Sequence, residues 1–419
     1  MIIKKEIKIS LCLSVFPDKK STAECFESLL NQTLDEIEII CMPDNNCDED
    51  VLEIIDYYKT QSNIPISVMK QEFNYNQVNG EYIFLCNSKD WLSMVALDYI
   101  YNIAKENNSD IVLSSVNIYD EKLKSIYELD YGLSNDFMNS NSLSHKLFSN
   151  ELFSMVKYPY NLYKTSFLEK IDADLNLNEY DIGFFFFKTV FNTSKISFSM
   201  EPILNIRKKE SDLYYFMAND FNRNLNKEYV SFDVDSFFKS MENIKSFFRE
   251  KGIYDLYKYD LTNYFMNIYR NICTFNMENE EVFYKKLHET ILNYYKTNHT
   301  DYLLNLTSPN MEFYRILLKS KSKFEVDALY KINDLKLENE KLSREVNKLT
   351  KLLKEEKNLK NKEIKQNKKI RHKLDEVLNS NSWKLMNGFR MIGLYKSVAL
   401  VIFILLLIIS IMIILIIKY

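Results

Sequence analysis

The sequence lacks the cysteine and histidine spacing that marks a disulfide framework or a zinc site. Its six cysteines form no CxxC pair, and its four histidines are scattered along the chain. Isolated cysteines in a reducing compartment behave as small apolar side chains, so we expect them to lie in the core. Neither a disulfide-stabilised fold nor a structural zinc site is indicated.

An excess of positive charge is also absent. Lys and Arg number 54 against 58 Asp and Glu, which gives a formal net charge of −4. Nucleic-acid binding requires a basic surface, so we expect no nucleic-acid partner. The first ten residues are charged and alternating and lack the long apolar centre of a signal peptide, so we expect a body that is not exported.

Residues 398–417 form the one long apolar run, with Ser410 as its only polar member. Twenty helical residues span roughly 30 Å, the thickness of a bilayer core. The preceding segment 351–396 carries thirteen Lys and Arg against five Asp and Glu, which favours a cytoplasmic location for that flank. The pattern predicts a single-pass C-terminal membrane anchor at 398–417, a basic juxtamembrane segment at 379–397 and a cytoplasmic body; the alternative is a buried core helix.

Strand and helix patterns alternate from residue 7 to about residue 118. Short strands rich in Ile, Val and Leu, separated by amphipathic helices, predict an α/β fold with a mostly parallel sheet covered on both faces. Ser21 and Glu24 have the spacing of a capping box at the first helix. Ligands of such sheets bind at the carboxyl ends of strands, which directs attention to the residues after Met42 and Cys86.

The second half of the chain has a helical pattern. We expect a helical accessory domain at 216–324 and a coiled coil at 325–378, where apolar residues keep heptad spacing from Ile332 to Leu353. Asn339 occupies an otherwise apolar a position, which favours a parallel, two-stranded pairing. The sequence therefore predicts a homodimer, with a single charged helix as the alternative.

Two loops carry candidate binding groups. Asp44 follows the second strand, where its carboxylate can accept a hydrogen bond from the imide N–H of a uracil or thymine base. Asn87 and Lys89 belong to the loop after the fourth strand, and we expect their side chains to lie in the same crevice as Asp44. Each loop alone is a weak signal.

Several stretches occur together, in order and at compatible spacing, and they cover about half the chain: Cys25–Leu34, Ile37–Cys41, Gly80–Ile83, Asp90–Leu92, Asn161–Leu168, Asp181–Phe186 and Glu201–Arg207. With them the sequence resembles the family 2 glycosyltransferases of the GT-A fold. The resemblance implies a glycosyltransferase domain at 1–215 that takes a nucleotide-diphosphate sugar as donor. It also implies an inverting, hexosyltransferase-type reaction.

The chain departs from this family at its metal motif. The family's Asp-x-Asp, which binds a divalent ion on the donor diphosphate, falls on Asn87-Ser88-Lys89. Asn and Lys cannot replace carboxylates as anionic ligands, so we expect no conventional Mn²⁺ or Mg²⁺ site. Lys89 can supply part of the metal's charge directly. The alternative is that Lys89 is a solvated loop lysine in a decayed site.

Two further positions match functional residues of the family. Asp181 matches the general base that takes the acceptor's proton, with Glu179 as the alternative under a shifted alignment and a helix N-cap as the ordinary role of Asp181. Arg207 and Lys209 match a basic pair near the donor or acceptor. The segment 70–79 is about a dozen residues shorter than in the family and lacks its Ala-Arg-Asn-x-Gly helix, so we expect weak donor affinity.

The sequence thus predicts a transferase that makes a cell-surface polysaccharide or glycolipid and works without a metal ion. Asp44 would read the base, Lys89 would stabilise the diphosphate, and Asp181 would deprotonate the acceptor. The competing hypothesis is a catalytically inactive, dimeric scaffold that retains the fold and binds a partner at the membrane.

Overall fold

The computed structural model describes residues 6–44, 47–69, 73–121, 123–129, 132–140, 144–156, 160–178, 180–208, 229–230, 232–273, 276–297, 305–320, 322–380, 402–403 and 405–410. Its strands are β1 Ile9–Val15, β2 Ile37–Pro43, β3 Ile66–Val68, β4 Tyr82–Asn87, β5 Trp91–Leu92, β6 Ile111–Asp120, β7 Ser125–Glu128, β8 Leu162–Lys164, β9 Ile196–Lys208, β10 Tyr229–Val230 and β11 Asn276–Met277. Its helices are α1 Lys19–Leu30, α2 Glu49–Gln61, α3 Ala96–Asn107, α4 Asn135–Met138, α5 Ser149–Ser154, α6 Thr165–Lys170, α7 Ile182–Val190, α8 Val234–Glu250, α9 Tyr254–Ile272, α10 Glu280–Thr297, α11 Ser308–Lys319 and α12 Lys323–Asn379, with a 3₁₀ turn at Tyr75–Gln77.

One nine-stranded sheet organises the first half of the chain. Its order is β3-β2-β1-β4-β8-β6-β9-β5, with β7 paired to β6. The strands β3, β2, β1 and β4 are parallel, and β8 lies antiparallel between β4 and β6. The predicted α/β fold is confirmed. The sheet is mixed, because β6 and β9 are parallel whereas β5 and β7 pair antiparallel with β9 and β6.

Both faces of the sheet are covered because its strands alternate between two cores. In β1, Leu11 and Leu13 face one apolar cluster with α1, α2 and α3, whereas Cys12 faces the other. Such doubly buried strands explain the continuous Ile, Val and Leu runs of the sequence. As expected, five of the six cysteines are buried, and all six are free thiols.

The capping box predicted at Ser21 and Glu24 is wrong. Helix α1 begins earlier, at Lys19, because Asp18 accepts a hydrogen bond from the backbone N–H of Ser21 at 3.1 Å. Asp18 is itself a good N-cap, so the helix gains its first turn from a different residue. Glu24 takes no part in this cap, and its carboxylate accepts a hydrogen bond from Arg207.

A helical region follows the sheet. Helix α8 buries one face, including Phe237, Met241 and Ile244, as its apolar spacing predicts. This helix also contacts the segment before α7: the backbone N–H of Asp233 donates to the Tyr180 hydroxyl at 2.8 Å, and Ser240 Oγ donates to the Tyr180 carbonyl. The helical region therefore fixes the entry to α7.

Helix α12 runs without a break for 57 residues. The side chains of its predicted seam are exposed, as shown by Leu335 at 55% and Leu349 at 60%. A helix across 325–378 thus agrees with the prediction. Its pairing in a coiled coil is not supported by the structure of one chain and stays a prediction.

The predicted membrane anchor at 398–417 requires correction. Among the residues that the structure describes, no helix is both long enough and apolar enough to cross a bilayer. Within this range the structure describes residues 402–403 and 405–410, which are helical. The rest of the range, with most of the basic segment 379–397, lies outside the described residues.

Candidate active site

The carboxyl ends of β1, β2 and β4 meet at one edge of the sheet. Ser14 of β1 pairs with Met42 on one side and with Asn87 on the other. Because the three strands are parallel, the loops that follow them start at the same level. They open into a cavity of about 630 Å³, which is lined by four of the predicted site residues: Asp44, Asn87, Lys89 and Arg207.

Asp44 is fixed at this edge by its backbone and exposed at its side chain. Its N–H donates to the carbonyl of Val15 at 2.9 Å, and its carbonyl accepts from the N–H of Cys47 at 3.0 Å. The loop is therefore hydrogen-bonded to the end of β1, while Asp44 is exposed and lines the cavity. This position suits an acceptor for a base N–H group.

Asn87 is buried and its side chain is used within the protein. Both Asp90 Oδ2, at 2.8 Å, and the Tyr160 hydroxyl accept from Nδ2. Its Oδ1 accepts from the N–H of Lys89 at 2.8 Å. Since an amide nitrogen carries two hydrogens, both donors of Asn87 are occupied, and its role here is to shape the loop.

Lys89 is half-buried and lines the cavity. Its Nζ lies 4.3 Å from the centroid of the Phe16 ring, and Phe16 lines the same cavity. The ammonium group is thus at the crevice, next to the strand ends where ligands of such sheets bind. A positive charge at this place is suited to phosphate oxygens.

Arg207 is 8% exposed and ties the loop of Lys89 to the other half of the sheet. Its N–H donates to Asp90 Oδ1 at 2.8 Å, and its Nε donates to the carbonyl of Lys89 at 3.1 Å. The remaining guanidinium nitrogens bind carboxylates: Nη1 donates to Glu121 at 2.9 Å and Nη2 donates to Glu24. The guanidinium charge is therefore matched by protein carboxylates.

The surroundings of Arg207 keep it charged. Burial lowers the pKa of Arg207, but its hydrogen bonds to Glu121 and Glu24 and their charges outweigh burial and raise it. The guanidinium carbon also lies 5.1 Å from the Trp91 ring and 5.8 Å from the Tyr119 ring, within cation–π range. This environment is typical of a structural arginine.

The residues to which the sequence resemblance assigns the metal motif do not fit a divalent ion. Asn87 uses both amide hydrogens inside the loop, Lys89 is a cation, and the Asp90 carboxylate accepts from Asn87 and from Arg207. Across the part of the chain that the structure describes, no group of three or more His, Cys, Asp or Glu side chains could hold a metal. Hard cations need several anionic oxygens, and this donor set lacks them.

Asp181 lies directly before α7 and is not among the residues that line the cavity, although its neighbours Tyr180 and Ile182 are. Burial raises the pKa of the Asp181 carboxyl, and the charge of Asp174 raises it further. Its side chain makes no N-cap hydrogen bond to the helix, which removes the ordinary capping role. The alternative base, Glu179, and the second basic residue, Lys209, lie outside the described residues.

Sequence reasoning missed four residues of this site: Phe16, Glu24, Asp90 and Glu121. Asp90 adjoins Lys89 and was within reach of the motif comparison. Glu24 was assigned to a helix cap, and its true partner is 183 positions away. Neither Phe16 nor Glu121 carries a local signal, because each acquires its role from a residue that only the fold brings close.

Residues 10–158 match the family model described as glycosyl transferase family 2. A poly(ribitol-phosphate) beta-glucosyltransferase of Bacillus spizizenii is 28% identical over 276 residues, which is 62% of this chain and 40% of that protein. TarP of Staphylococcus aureus, a poly(ribitol-phosphate) beta-N-acetylglucosaminyltransferase, is 24% identical over 228 residues, which is 51% of this chain and 64% of TarP. The chain thus spans less than half the length of the first of these relatives.

Solved structures show the same fold. Residues 1–349 of S. aureus TarS in complex with UDP-GlcNAc match with a TM-score of 0.52 at 17% identity, over 77% of this chain and 89% of that fragment. A second TarS structure matches with a TM-score of 0.50 at 15% identity, over 75% of this chain and 53% of TarS. At these identities the likeness concerns the fold alone.

Proposed function

We propose that this chain, whose residues 10–158 belong to glycosyl transferase family 2, transfers a sugar from a uridine-diphosphate donor to a cell-surface polyol-phosphate polysaccharide. The donor class follows the UDP-GlcNAc complex of TarS, and the acceptor class follows the two poly(ribitol-phosphate) transferases. The observation that carries the proposal is that Lys89 lines the cavity, with its ammonium over the Phe16 ring. The sequence resemblance places Lys89 at a metal ligand of the family.

The proposed reaction is an inverting displacement. The acceptor hydroxyl oxygen attacks the anomeric carbon, the bond from that carbon to the diphosphate breaks, and the hydroxyl proton passes to a carboxylate. Asp181 takes this proton, and its raised pKa makes it a stronger base than an ordinary aspartate. Asp44 accepts a hydrogen bond from the uracil N–H.

Lys89 stabilises the negative charge that develops on the leaving diphosphate. Two opposite unit charges 4 Å apart attract by about 4 kcal/mol at an effective dielectric constant of 20, so one ammonium group is significant. A divalent ion supplies two charges where lysine supplies one. We therefore expect transfer without a metal and weaker donor binding than in metal-dependent enzymes.

A catalytically inactive scaffold is the second candidate. The observation that favours it is the commitment of Asn87, Asp90 and Arg207 to hydrogen bonds within the protein. A scaffold would keep this network for stability alone and would bind a partner through other surfaces.

We further propose that two copies pair through the α12 seam between Ile332 and Leu353, in parallel and in register. Asn339 supports this arrangement, because an asparagine at an a position is satisfied by the same residue of a second copy. Light scattering should give twice the 50.0 kDa chain mass for the wild type. A monomeric mass for the double variant Leu342→Lys, Leu349→Lys would support pairing through this seam. A monomeric mass for the wild type would contradict the dimer.

Turnover of UDP sugars separates the two functions. Metal-free protein is incubated with UDP-hexoses or UDP-N-acetylhexosamines and poly(ribitol phosphate), and UDP release is measured in EDTA and in Mn²⁺. The transferase releases UDP equally in both, and Asp44→Ala loses most of this activity, while the control Asp56→Ala on the exposed side of α2 keeps it. A wild type that releases no UDP under either condition is a scaffold.

A further inference from the structure

The ring of Phe16 lies beneath the charged end of Lys89. The distance from Nζ to the ring centroid is 4.3 Å, well within the about 6 Å at which an aromatic face attracts a cation. Phe16 is half-buried and belongs to the loop after β1, whereas Lys89 belongs to the loop after β4. The contact therefore joins two loops at the same edge of the sheet.

Phe16 is held in place by the loop that it supports. Its backbone N–H donates to Ser88 Oγ at 2.9 Å, and the N–H of Ser88 donates to the carbonyl of Ser14 at 2.8 Å. Ser88 is fully buried. The two hydrogen bonds fix the start of the Phe16 loop against the backbone next to Lys89.

The backbone of Lys89 is also fixed on both sides. Its N–H donates to Asn87 Oδ1 and its carbonyl accepts from Arg207 Nε. The side chain of Lys89 has a four-carbon stem, which is flexible. A divalent ion held by carboxylates has no such freedom, so a lysine that replaces it needs something to keep its ammonium at the cavity.

We propose that Phe16 is a positioning residue that holds the Lys89 ammonium where the donor diphosphate binds. This inference rests on the proposed function of Lys89. The ring attracts the ammonium through its π face, which has no hydrogen-bond acceptors that would satisfy the three N–H donors of lysine. The ammonium is thereby placed without its donors being consumed by the ring, and phosphate oxygens can accept from them.

A different role for Phe16 is direct stacking on the uracil base. The two roles differ in their dependence on Lys89. A positioning ring acts only when Lys89 is present, whereas a stacking ring contributes to binding with or without Lys89. A double-mutant cycle measures this dependence.

The cycle uses wild type, Phe16→Leu, Lys89→Ala and the double variant, each titrated in EDTA with UDP and with uridine. Phe16→Tyr keeps an aromatic face and serves as the conservative variant, and Phe16→Met replaces Phe16→Leu if that variant does not fold. We expect Phe16→Leu to weaken UDP binding about fivefold, Phe16→Tyr to restore it, and uridine binding to be unchanged. In the Lys89→Ala background, Phe16→Leu should have no effect.

Equal weakening of UDP binding in both backgrounds, or weaker uridine binding by Phe16→Leu, would overturn the proposal in favour of stacking. Unchanged UDP binding by Phe16→Leu in the wild-type background would overturn it as well. A wild type that binds neither UDP nor uridine refutes the proposed function and this inference together. If the wild type binds UDP and the effects of the two single substitutions on UDP affinity simply add in the double variant, the inference alone is refuted.

Discussion

The backbone N–H of Arg207 donates a hydrogen bond of 2.8 Å to the carboxylate of Asp90, which lies 117 positions earlier in the chain. This bond joins β9 to the loop that carries Lys89. The same arginine binds the carbonyl of Lys89 through Nε. Arg207 therefore affects the candidate active site through the loop, and its guanidinium charge is already matched by carboxylates.

Replacement of Arg207 by Met should lower the free energy of unfolding by about 2 kcal/mol. The reason is that Glu24 and Glu121 lose their partner while the loop loses one of its anchors, and both carboxylates are partly exposed, which limits the loss. Urea denaturation measures the change. Adding Glu24→Gln and Glu121→Gln to Arg207→Met should recover part of the lost free energy of unfolding. Arg249→Met, which removes an exposed ion pair, is the control. No loss from Arg207→Met would contradict this account.

Replacement of Asn87 by Asp should destabilise the protein by about 3 kcal/mol. The new carboxylate would face Asp90 Oδ2, where the amide now donates at 2.8 Å, and the N–H donor to the Tyr160 hydroxyl would be absent. Because protonation relieves repulsion between two carboxylates, the loss should shrink as the pH falls. Denaturation at pH 7 and pH 5 tests this, with Asn102→Asp at an exposed position of α3 as the control. A loss that is independent of pH would argue against the predicted repulsion.

Much of the fold could be predicted because its signals are local. The strands β1, β2 and β4 are short, predominantly apolar segments, and α8 shows helical spacing, so each can be predicted from its own residues. The antiparallel strand β8 was not predicted, since its three residues have no pattern of their own. The cap of α1 was misplaced by three residues, because Asp18 and Ser21 are both good caps and only the structure decides between them.

The site was harder to predict, because its contacts are long-range. Asp44 and Lys89 were found from their places after apolar strands. The pairing of Glu24 with Arg207 spans 183 positions, and that of Phe16 with Lys89 depends on the register of β1 against β4. The predicted membrane helix is not found, since no described helix has the length and the apolar composition for a crossing.

The pH dependence of turnover should reveal Asp181. A base must be deprotonated, and burial raises the pKa of Asp181, so the acid limb of kcat/KM should lie above the range of an ordinary aspartate. Asp181→Asn should remove most of the activity and that limb. Turnover by Asp181→Asn that equals wild type would exclude Asp181 as the base.

Stability provides a second readout for Asp181. Its pKa is higher in the folded state than in the unfolded state, so the folded protein binds the proton more tightly. Stability should therefore fall as the pH rises from the ordinary pKa of an aspartate through the raised one. Asp181→Asn should be more stable than wild type at neutral pH, and this difference should vanish in acid.

The segment before β4 is anchored by a buried carboxylate. Glu38 accepts hydrogen bonds from Ser10 Oγ at 2.5 Å, from the N–H of Asn79 at 2.7 Å and from Asn79 Nδ2 at 2.9 Å. Ser10 Oγ in turn accepts from the N–H of Gly80. This network holds the segment that leads into β4.

Glu38→Gln should lower the free energy of unfolding by about 2 kcal/mol, because the amide nitrogen of glutamine would face a donor where the carboxylate oxygen now accepts. Thermal and urea unfolding measure the loss. Exposed Glu53→Gln on α2 is the matched control and should be neutral. A neutral Glu38→Gln would show that the network contributes little to stability.

Calorimetric titration of UDP in the presence of EDTA tests the central claim, that Lys89 replaces a metal ion, most directly. Wild type should bind UDP, Mn²⁺ should not improve the affinity, and Lys89→Ala should weaken it about 10- to 100-fold, as expected for loss of a charged hydrogen-bond donor. Uridine binding by Lys89→Ala, and UDP binding by the exposed control Lys59→Ala, should equal those of wild type. UDP binding that requires Mn²⁺, or that is the same in Lys89→Ala and wild type, would contradict the account.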